Sequence, residues 1–327
     1  VAERTNDAIL TVEDLKTYFT VGDSVVKAVD GVSFTIKKGE ILGVVGESGC
    51  GKSTLGRTVL RLENKAEGTV RFDDIDPFAI SGAELKSFRR RTAMVFQDPS
   101  ASLNPRKRVD QLLSQALRVH GIGDREEWKR KVSAILSETG ISPEYRNRYP
   151  HQFSGGQKQR IGVARSLMLD PELIVLDEAV SALDVSIQAQ IINLLLDLKE
   201  KRDLTYLFIS HDLSVVEFVS DRIMVMYLGR VVEEAPKRTI MDKPLHPYTQ
   251  ALMAAFPSTN LSHRGSGVKA VEGDVPSPIN PPPGCHFAPR CPFATAKCHA
   301  QYPPMVQRDD GHRVACWLHT EEGTGES

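Results

Sequence analysis

An α/β fold built around a parallel sheet is what this 327-residue sequence predicts, and three observations predict it. The apolar run ILGVV (41–45) passes through a glycine-rich loop, GESGCGKST, into LGRTVLRL, whose apolar residues recur at helical spacing. Two further short apolar runs, LIVLDE (173–178) and LTYLFISHD (204–212), end in polar residues. Between them lies SIQAQIINLLLDLKEKR, again with helical spacing, so the order is strand, helix, strand. Strands that read as continuous apolar runs are buried on both faces, and a parallel sheet covered by crossover helices buries both.

Ahead of the glycine loop, residues 10–45 alternate apolar and polar positions, as in LTVEDL and VSFTIKKGEILGVVG. That period predicts strands, here an antiparallel β subdomain. From about residue 98 to 154 the pattern turns helical, with QLLSQALRVH and KRKVSAILSETG separated by polar turns. An inserted α-helical subdomain is placed at about 98–165. RIMVMYLGRVVEEA (222–235) reads as a hairpin turning near Gly229. From Pro236 the composition shifts toward Pro and Gly, peaking in PSPINPPPG (276–284). A main domain over 1–240 and a C-terminal extension over 241–327 follow from that shift. No internal repeat is visible.

Hydrophobic residues make up 41% and charged residues 25%, the mix of a globular chain with a sizeable core. A formal net charge of -1 gives no global attraction to nucleic acid. Arg89-Arg90-Arg91 reads as a solvated helix face. No stretch approaches the ~18 consecutive apolar residues of a membrane span. VAERTNDAIL lacks the basic-then-apolar layout of a secretion signal, so a soluble protein that stays where it is made is expected.

GESGCGKS (46–53) satisfies G-x-x-x-x-G-K-[ST] between a strand and a helix, the context a phosphate-binding loop requires. The glycines let the backbone of Gly46, Glu47, Ser48, Gly49, Cys50 and Gly51, on through Thr54, curl its N–H groups onto one anion. Lys52 then reaches the β- and γ-phosphates of a nucleotide, and the Ser53 hydroxyl ligates Mg²⁺. Cys50 supplies only a small side chain. Such a loop requires a carboxylate at the end of a neighbouring strand, and LIVLDE ends in two. Asp177 holds the magnesium shell, which leaves Glu178 free to polarise a water in line with the γ-phosphate. Two acids that merely cap the next helix are the competing reading, and the phosphate loop decides against it.

HQFSGGQKQR (151–160) sets a Ser and two glycines at the start of a helical run, a second anion site made of backbone N–H groups. It lies beyond the helical insertion, and it reaches a γ-phosphate most simply if another subunit holds that phosphate. Over roughly residues 10–255 these features resemble the nucleotide-binding subunit of an ABC transporter. The resemblance implies a P-loop, RecA-like core, ATP as substrate, and a signature motif at Ser154, Gly155, Gly156 and Gln157 that contacts ATP bound to the opposite subunit. It further implies that Gln97, in MVFQDP, senses Mg²⁺ and the attacking water and touches the membrane subunits. SALD (181–184) matches the loop that crosses the dimer interface, and His211 matches the switch histidine on the γ-phosphate. Glu178, His211 and Gln97 are then the catalytic set. Phe19, in LKTYFTVG, takes the place of the aromatic that stacks on adenine, with Tyr18 its competitor on an alternating strand. Ala179 stands where the family usually has Pro, which removes rigidity but no chemical group.

HPYTQALMAAFP (246–257), GCHFAPRCPFATAKC and HRVAC resemble the branch of that family that energises uptake of dipeptides, oligopeptides and sometimes nickel. His246-Pro247 reads as a helix start. The resemblance implies a second, nonidentical ATPase subunit, two transmembrane permease subunits and, through them, a substrate-binding protein. It places the chain peripherally on the cytoplasmic face of the cell membrane, with no nucleic acid partner. A nickel importer of the same branch and a soluble ABC ATPase stand as alternatives; FSGGQ, and SALD following LDE, oppose a P-loop kinase or GTPase. Cys285, Cys291, Cys298 and Cys316 are spaced x5, x6 and x17, without the C-x₂-C pair of a zinc ribbon. Four thiolates suit a [4Fe–4S] cluster or zinc on grounds of softness. The resemblance puts a structural iron–sulfur cluster first, zinc second and unliganded thiols third. His286, His299 and His312 compete as ligands, with solvent exposure their expected fate.

Overall fold

Residues 7–181, 183–255, 276–279, 281–308 and 311–320 are described by the computed structural model of the chain. The alternating N-terminal stretch forms strands β1 (Ala8–Val21) and β2 (Ser24–Lys37). Five consecutive buried residues make β3 (Ile41–Val45), followed by helix α1 (Lys52–Val59) and strand β4 (Glu67–Phe72). Helix α2 (Gly82–Arg91) runs directly into β5 (Thr92–Val95). The helical stretch holds α3 (Pro99–Ser102), α4 (Val109–His120), α5 (Arg125–Glu138) and α6 (Gly155–Leu167). Next come β6 (Leu173–Asp177), α7 (Val185–Arg202) and β7 (Thr205–Ile209), the expected strand, helix and strand. Helix α8 (Leu213–Val219) precedes the hairpin β8 (Arg222–Tyr227) and β9 (Arg230–Pro236). Helices α9 (Lys237–Asp242), α10 (Pro247–Ala254) and α11 (Ala296–Ala300) and the short strands β10 (Val306–Gln307) and β11 (Arg313–Val314) follow. Among the described residues no helix is long and apolar enough to cross a membrane.

The described residues divide into two compact units. The first takes those within 1–10, 36–40 and 71–209; the second takes those within 11–35, 41–70 and 210–327. In the first, β5, β6 and β7 pair in parallel, with Val175 opposite Met94 and Leu207. All five residues of β6 and of β7 are buried, as their unbroken apolar runs demand. Helix α6 packs on β5 and on α3, α4, α5 and α7. The Arg89–Arg91 run is not one solvated face: Arg89 and Arg90 are exposed, but Arg91 grips both oxygens of Glu172 at 2.5 and 2.7 Å and also bonds Asp73. The two carboxylates repay the guanidinium's partial burial, which hydropathy of a three-residue run does not reveal.

In the second unit the order β2-β1-β4 makes a three-stranded sheet. Strand β3 pairs in parallel with β8, from Leu42 opposite Arg222 to Val45 opposite Val225. The β8–β9 hairpin turns through Leu228 and Gly229, both left-handed at φ 41° and 80°. Two successive positive φ values are what a two-residue hairpin turn needs to follow strand twist. The tail completes this sheet, since β11 pairs with β9 and β10 with β11. Behind it Tyr227, Tyr248 and Phe287 pack with ring centroids 4.7–5.4 Å apart. Glu233, fully buried, accepts hydrogen bonds from the N–H of Leu245 (2.7 Å) and His246 (2.9 Å) and from His312 Nε2 (2.6 Å). That one carboxylate ties the start of α10 and the end of the tail to β9.

Candidate functional site

The loop between β3 and α1 depends on two glycines. A Cβ at Gly46 (φ 154°) would lie 2.2 Å from the Met226 carbonyl oxygen, and one at Gly51 (φ 102°) 1.9 Å from that of Ala28. Only glycine lets the backbone thread between β8 and β2 this closely. Lys52, 4% exposed, folds back so that Nζ donates to the carbonyl oxygens of Gly46 (2.7 Å) and Glu47 (2.9 Å). Ser48 and Gly49 are exposed at the tip, while Ser53 and Thr54 are half-buried in the first turn of α1. Burial pushes the Cys50 thiol up, so it stays protonated and unreactive. The Gly229 N–H donates to the Cys50 carbonyl at 2.9 Å, which fixes the loop to the hairpin turn.

Tyr18 donates its hydroxyl to Asp30, whose other oxygen accepts from Arg230 at 2.6 Å. Phe19, its neighbour on β1, is 37% exposed. Alternation on the strand thus commits the tyrosine to an ion-pair network and turns the phenylalanine ring out.

In the first unit, β6 ends on Asp177, 1% exposed, and the chain then turns at Glu178 in the left-handed region (φ 48°). The Glu178 N–H donates to the Ile209 carbonyl at 2.9 Å, and its carboxylate accepts from Gln97 Nε2 at 2.8 Å. Two residues 81 positions apart are therefore brought together at the end of a buried strand. Ser181 closes the turn, donating from its N–H (3.2 Å) and hydroxyl (2.9 Å) to the Glu178 carbonyl. Asp184 sits at the N-cap of α7, and Ala182 of the same motif lies outside the described residues. His211 is exposed just after β7, next to Asp212, whose carboxylate caps α8.

The second glycine motif does open a helix. Ser154 is the N-cap of α6: its Oγ accepts from the Gln157 N–H (3.3 Å) and the Gln157 side-chain oxygen accepts from the Ser154 N–H (3.1 Å). This reciprocal cap is an S-x-x-Q pattern visible in the sequence. Ser154 and Gly155 are exposed, whereas Gly156 is buried, where a Cβ would come 2.5 Å from Ile187.

Cys285, Cys291, Cys298 and Cys316 are free thiols that line one small cavity with Phe287 and Trp317. Burial pushes Cys285 up to about 11 and Cys316 up to about 12, so these two are neutral thiols at physiological pH. Among the described residues no group of three or more His, Cys, Asp or Glu is arranged to hold a metal ion. The thiols share a cavity but do not converge as a ligand set. Of His286, His299 and His312, only His299 is exposed to solvent. His286 and His312 are 4% and 2% exposed, the first bonded through Nδ1 to the Leu228 carbonyl (3.0 Å) and the second to Glu233. Each has a partner that compensates burial, which a polar residue in a Pro-rich stretch does not disclose. Sequence reasoning also missed Tyr248 and Arg290, which contact the phosphate loop from far along the chain. No local pattern marks either.

An oligopeptide transport ATP-binding protein of Bacillus subtilis, AppF, is 51% identical to the chain over 96% of this chain and 98% of that protein. This chain belongs to the ATP-binding subunits of the oligopeptide ABC transporters. A peptide ABC transporter ATP-binding protein of Sinorhizobium fredii is similar at 48% identity, covering 95% of this subunit and 90% of that one. A family model described as ABC transporter matches residues 29–181 of the subunit, and one described as oligopeptide/dipeptide transporter, C-terminal region, matches residues 232–298. Among solved structures, a dimeric ATP-binding cassette in a post-hydrolysis state bound to ADP and Pi is similar with a TM-score of 0.64 and 29% identity, over 70% of this subunit and 99% of that chain. The subunit thus has the ATP-binding cassette fold and is an ABC ATPase. Membership of this family implies membrane permease partners.

Proposed function

We propose that this subunit hydrolyses ATP to energise import of di- or oligopeptides through a membrane complex. The observation that carries the reading is the 2.8 Å hydrogen bond from Gln97 to the Glu178 carboxylate, directly after buried Asp177. A carboxylate aimed by an amide at the end of a buried strand is the arrangement a water-activating base needs. Glu178 takes the proton of the water that attacks the γ-phosphate, and Gln97 keeps the carboxylate aimed. Lys52 and the N–H groups of residues 46–54 hold the phosphates, apart from the Glu47 N–H, which is donated to the Tyr248 hydroxyl at 2.9 Å; His211 contacts the γ-phosphate, and Phe19 stacks on adenine. Ser53, Asp177 and Gln97 supply the oxygen ligands that Mg²⁺ prefers, and Mg²⁺, when bound, neutralises phosphate charge. Ser154, Gly155, Gly156 and Gln157 serve ATP held by a second ATPase subunit, nonidentical to this one. Exposure of Ser154 and Gly155 at the start of a 13-residue helix supports that role.

The cassette occupies 1–240 and the extension 241–327; the two family matches are likewise separate, at 29–181 and 232–298, with the second beginning inside β9. Two permease subunits and, through them, a substrate-binding protein complete the assembly, with this chain on the cytoplasmic face. Relatives named for peptides, and none of those cited for nickel, favour peptide cargo. The test is ATPase activity of the complex reconstituted in vesicles with its binding protein. Stimulation by di- and oligopeptides is expected; stimulation by nickel alone overturns the cargo. For the tail cysteines the proposed order is iron–sulfur first and zinc second, on the softness of four free thiols around one cavity; binding would have to draw them into the ligand set that they do not form in this arrangement. Iron and sulfide in equal amounts in the anaerobically purified subunit support the cluster, and zinc without iron reverses the order.

A further inference from the structure

The phosphate loop of this chain carries an acid, Glu47, although its ligand is a polyanion. A carboxylate inside such a cradle offers the same acceptor oxygens as a phosphate and the same sign of charge. We propose that Arg290, from the C-terminal extension, is a positioning residue for ATP binding, holding the Glu47 carboxylate out of the cradle and cancelling its charge. The proposal rests on the assignment of this loop to ATP.

The geometry is a two-point grip. Arg290 Nη1 donates to Glu47 Oε2 at 2.8 Å and Nη2 to Oε1 at 3.1 Å. Both carboxylate oxygens are occupied, which a lysine ammonium cannot achieve with the same planar fit. The Arg290 side chain is only 7% exposed and Glu47 is 27% exposed, so solvent screens the pair weakly. Nη1 also donates to the Tyr227 hydroxyl at 3.2 Å, and the guanidinium lies about 6 Å from the Phe287 ring centre. Burial alone would lower the Arg290 pKa; the hydrogen bonds to Glu47 and Tyr227 overcome it and raise the value, so the positive charge is permanent.

The backbone of Arg290 is fixed as well. It ends a 3-10 turn over Ala288–Arg290, with its N–H donating to the Phe287 carbonyl at 2.9 Å. The extension also holds the main chain of the acid: the Glu47 N–H donates to the Tyr248 hydroxyl at 2.9 Å. Tyr248 and Tyr227 pack on each other and on Phe287, so both contacts arise from one aromatic cluster. Lys52 Nζ lies against the Glu47 carbonyl at 2.9 Å. A Glu47 carboxylate released from Arg290 competes with the nucleotide for that ammonium and for the loop N–H groups.

The experiment uses the full chain, with ATP affinity from titration of a fluorescent ATP analogue and KM and kcat from the reconstituted complex. Arg290→Met should raise Kd and KM for ATP about tenfold, or about 1.4 kcal/mol, while kcat stays within about twofold. Adding Glu47→Gln to Arg290→Met should return both to within about twofold of wild type, because a neutral amide competes poorly with phosphate. A purely structural role for Arg290 predicts no such rescue. Wild-type affinity in Arg290→Met, or a double variant as weak as the single one, overturns the proposal. If Arg290→Met does not fold, Arg290→Lys replaces it in both arms: a raised Kd for ATP that Glu47→Gln reverses supports the proposal, and an unchanged Kd or a failure of reversal overturns it. A wild-type chain that binds no ATP overturns the loop's assignment itself, and the role of Arg290 with it.

Discussion

Replacing Glu178 by Gln separates proton acceptance from the shape of the site. Glu178 holds a left-handed turn at φ 48°, with its N–H on Ile209 (2.9 Å) and its carbonyl accepting from Ser181 (3.2 and 2.9 Å). None of those bonds involves the carboxylate. The new amide oxygen can still accept from Gln97 Nε2, which bonds Glu178 at 2.8 Å in the wild type. What disappears is basicity. A positioned general base contributes about 10²–10⁴-fold, so kcat should fall by that factor, about 2.7–5.4 kcal/mol of barrier at about 1.36 kcal/mol per decade. ATP affinity should stay within about threefold, because the substituted group bears on the chemical step and not on the phosphates in the ground state. The assay is phosphate release by the reconstituted complex, with size-exclusion in excess ATP to reveal an accumulating closed ATPase pair. Glu178→Ala is the control, since it also gives up the Gln97 hydrogen bond, worth about 1 kcal/mol of stability. Turnover of Glu178→Gln within about threefold of wild type would strip Glu178 of its assigned role.

Gly51→Ala should abolish measurable ATP binding and lower the melting temperature, because its Cβ would sit 1.9 Å from the Ala28 carbonyl at φ 102°; normal binding would show that the loop can be rebuilt. Ser154→Ala removes the N-cap acceptor of α6 and should destabilise the chain by about 1 kcal/mol. In the complex it should also slow hydrolysis at the partner's site while this chain's own ATP titration shifts little, and equal damage to both sites contradicts the assignment. Burial pushes His246 and His286 down to about 4 from an ordinary 6.5. The unfolded chain therefore takes up protons below about pH 6.5 that the native state refuses until about pH 4, so stability falls as pH drops through that window. Together the two histidines set a slope of up to about 2.7 kcal/mol per pH unit, and a melting temperature that does not fall between about pH 7 and pH 5 contradicts this.

Patterns whose physics is local were legible before any coordinates. The phosphate loop is one, because glycine spacing, the lysine and the flanking strand and helix all lie within residues 41–59. The buried strands were another, since the five-residue runs at 173–177 and 205–209 can be nothing but interior once helices flank them. The opening of α6 was visible too, in the S-x-x-Q spacing by which Ser154 and Gln157 cap each other. Arg91 and the tail histidines His286 and His312 read as solvent-facing because side-chain type alone sets that expectation, and buried partners override it.

Other features were decided only when the chain closed on itself. Gln97 meets Glu178 across 81 residues, Tyr248 meets the Glu47 N–H across 201 and Arg290 meets the Glu47 carboxylate across 243. The sequence by itself determined the elements, the phosphate loop, the paired acids and the family; tertiary structure determined which amide meets Glu178 and which arginine grips Glu47. The reason is physical. Backbone conformation and periodic burial depend on neighbours within a few positions, whereas a charge pair depends on where two distant segments are brought by packing of the residues between them.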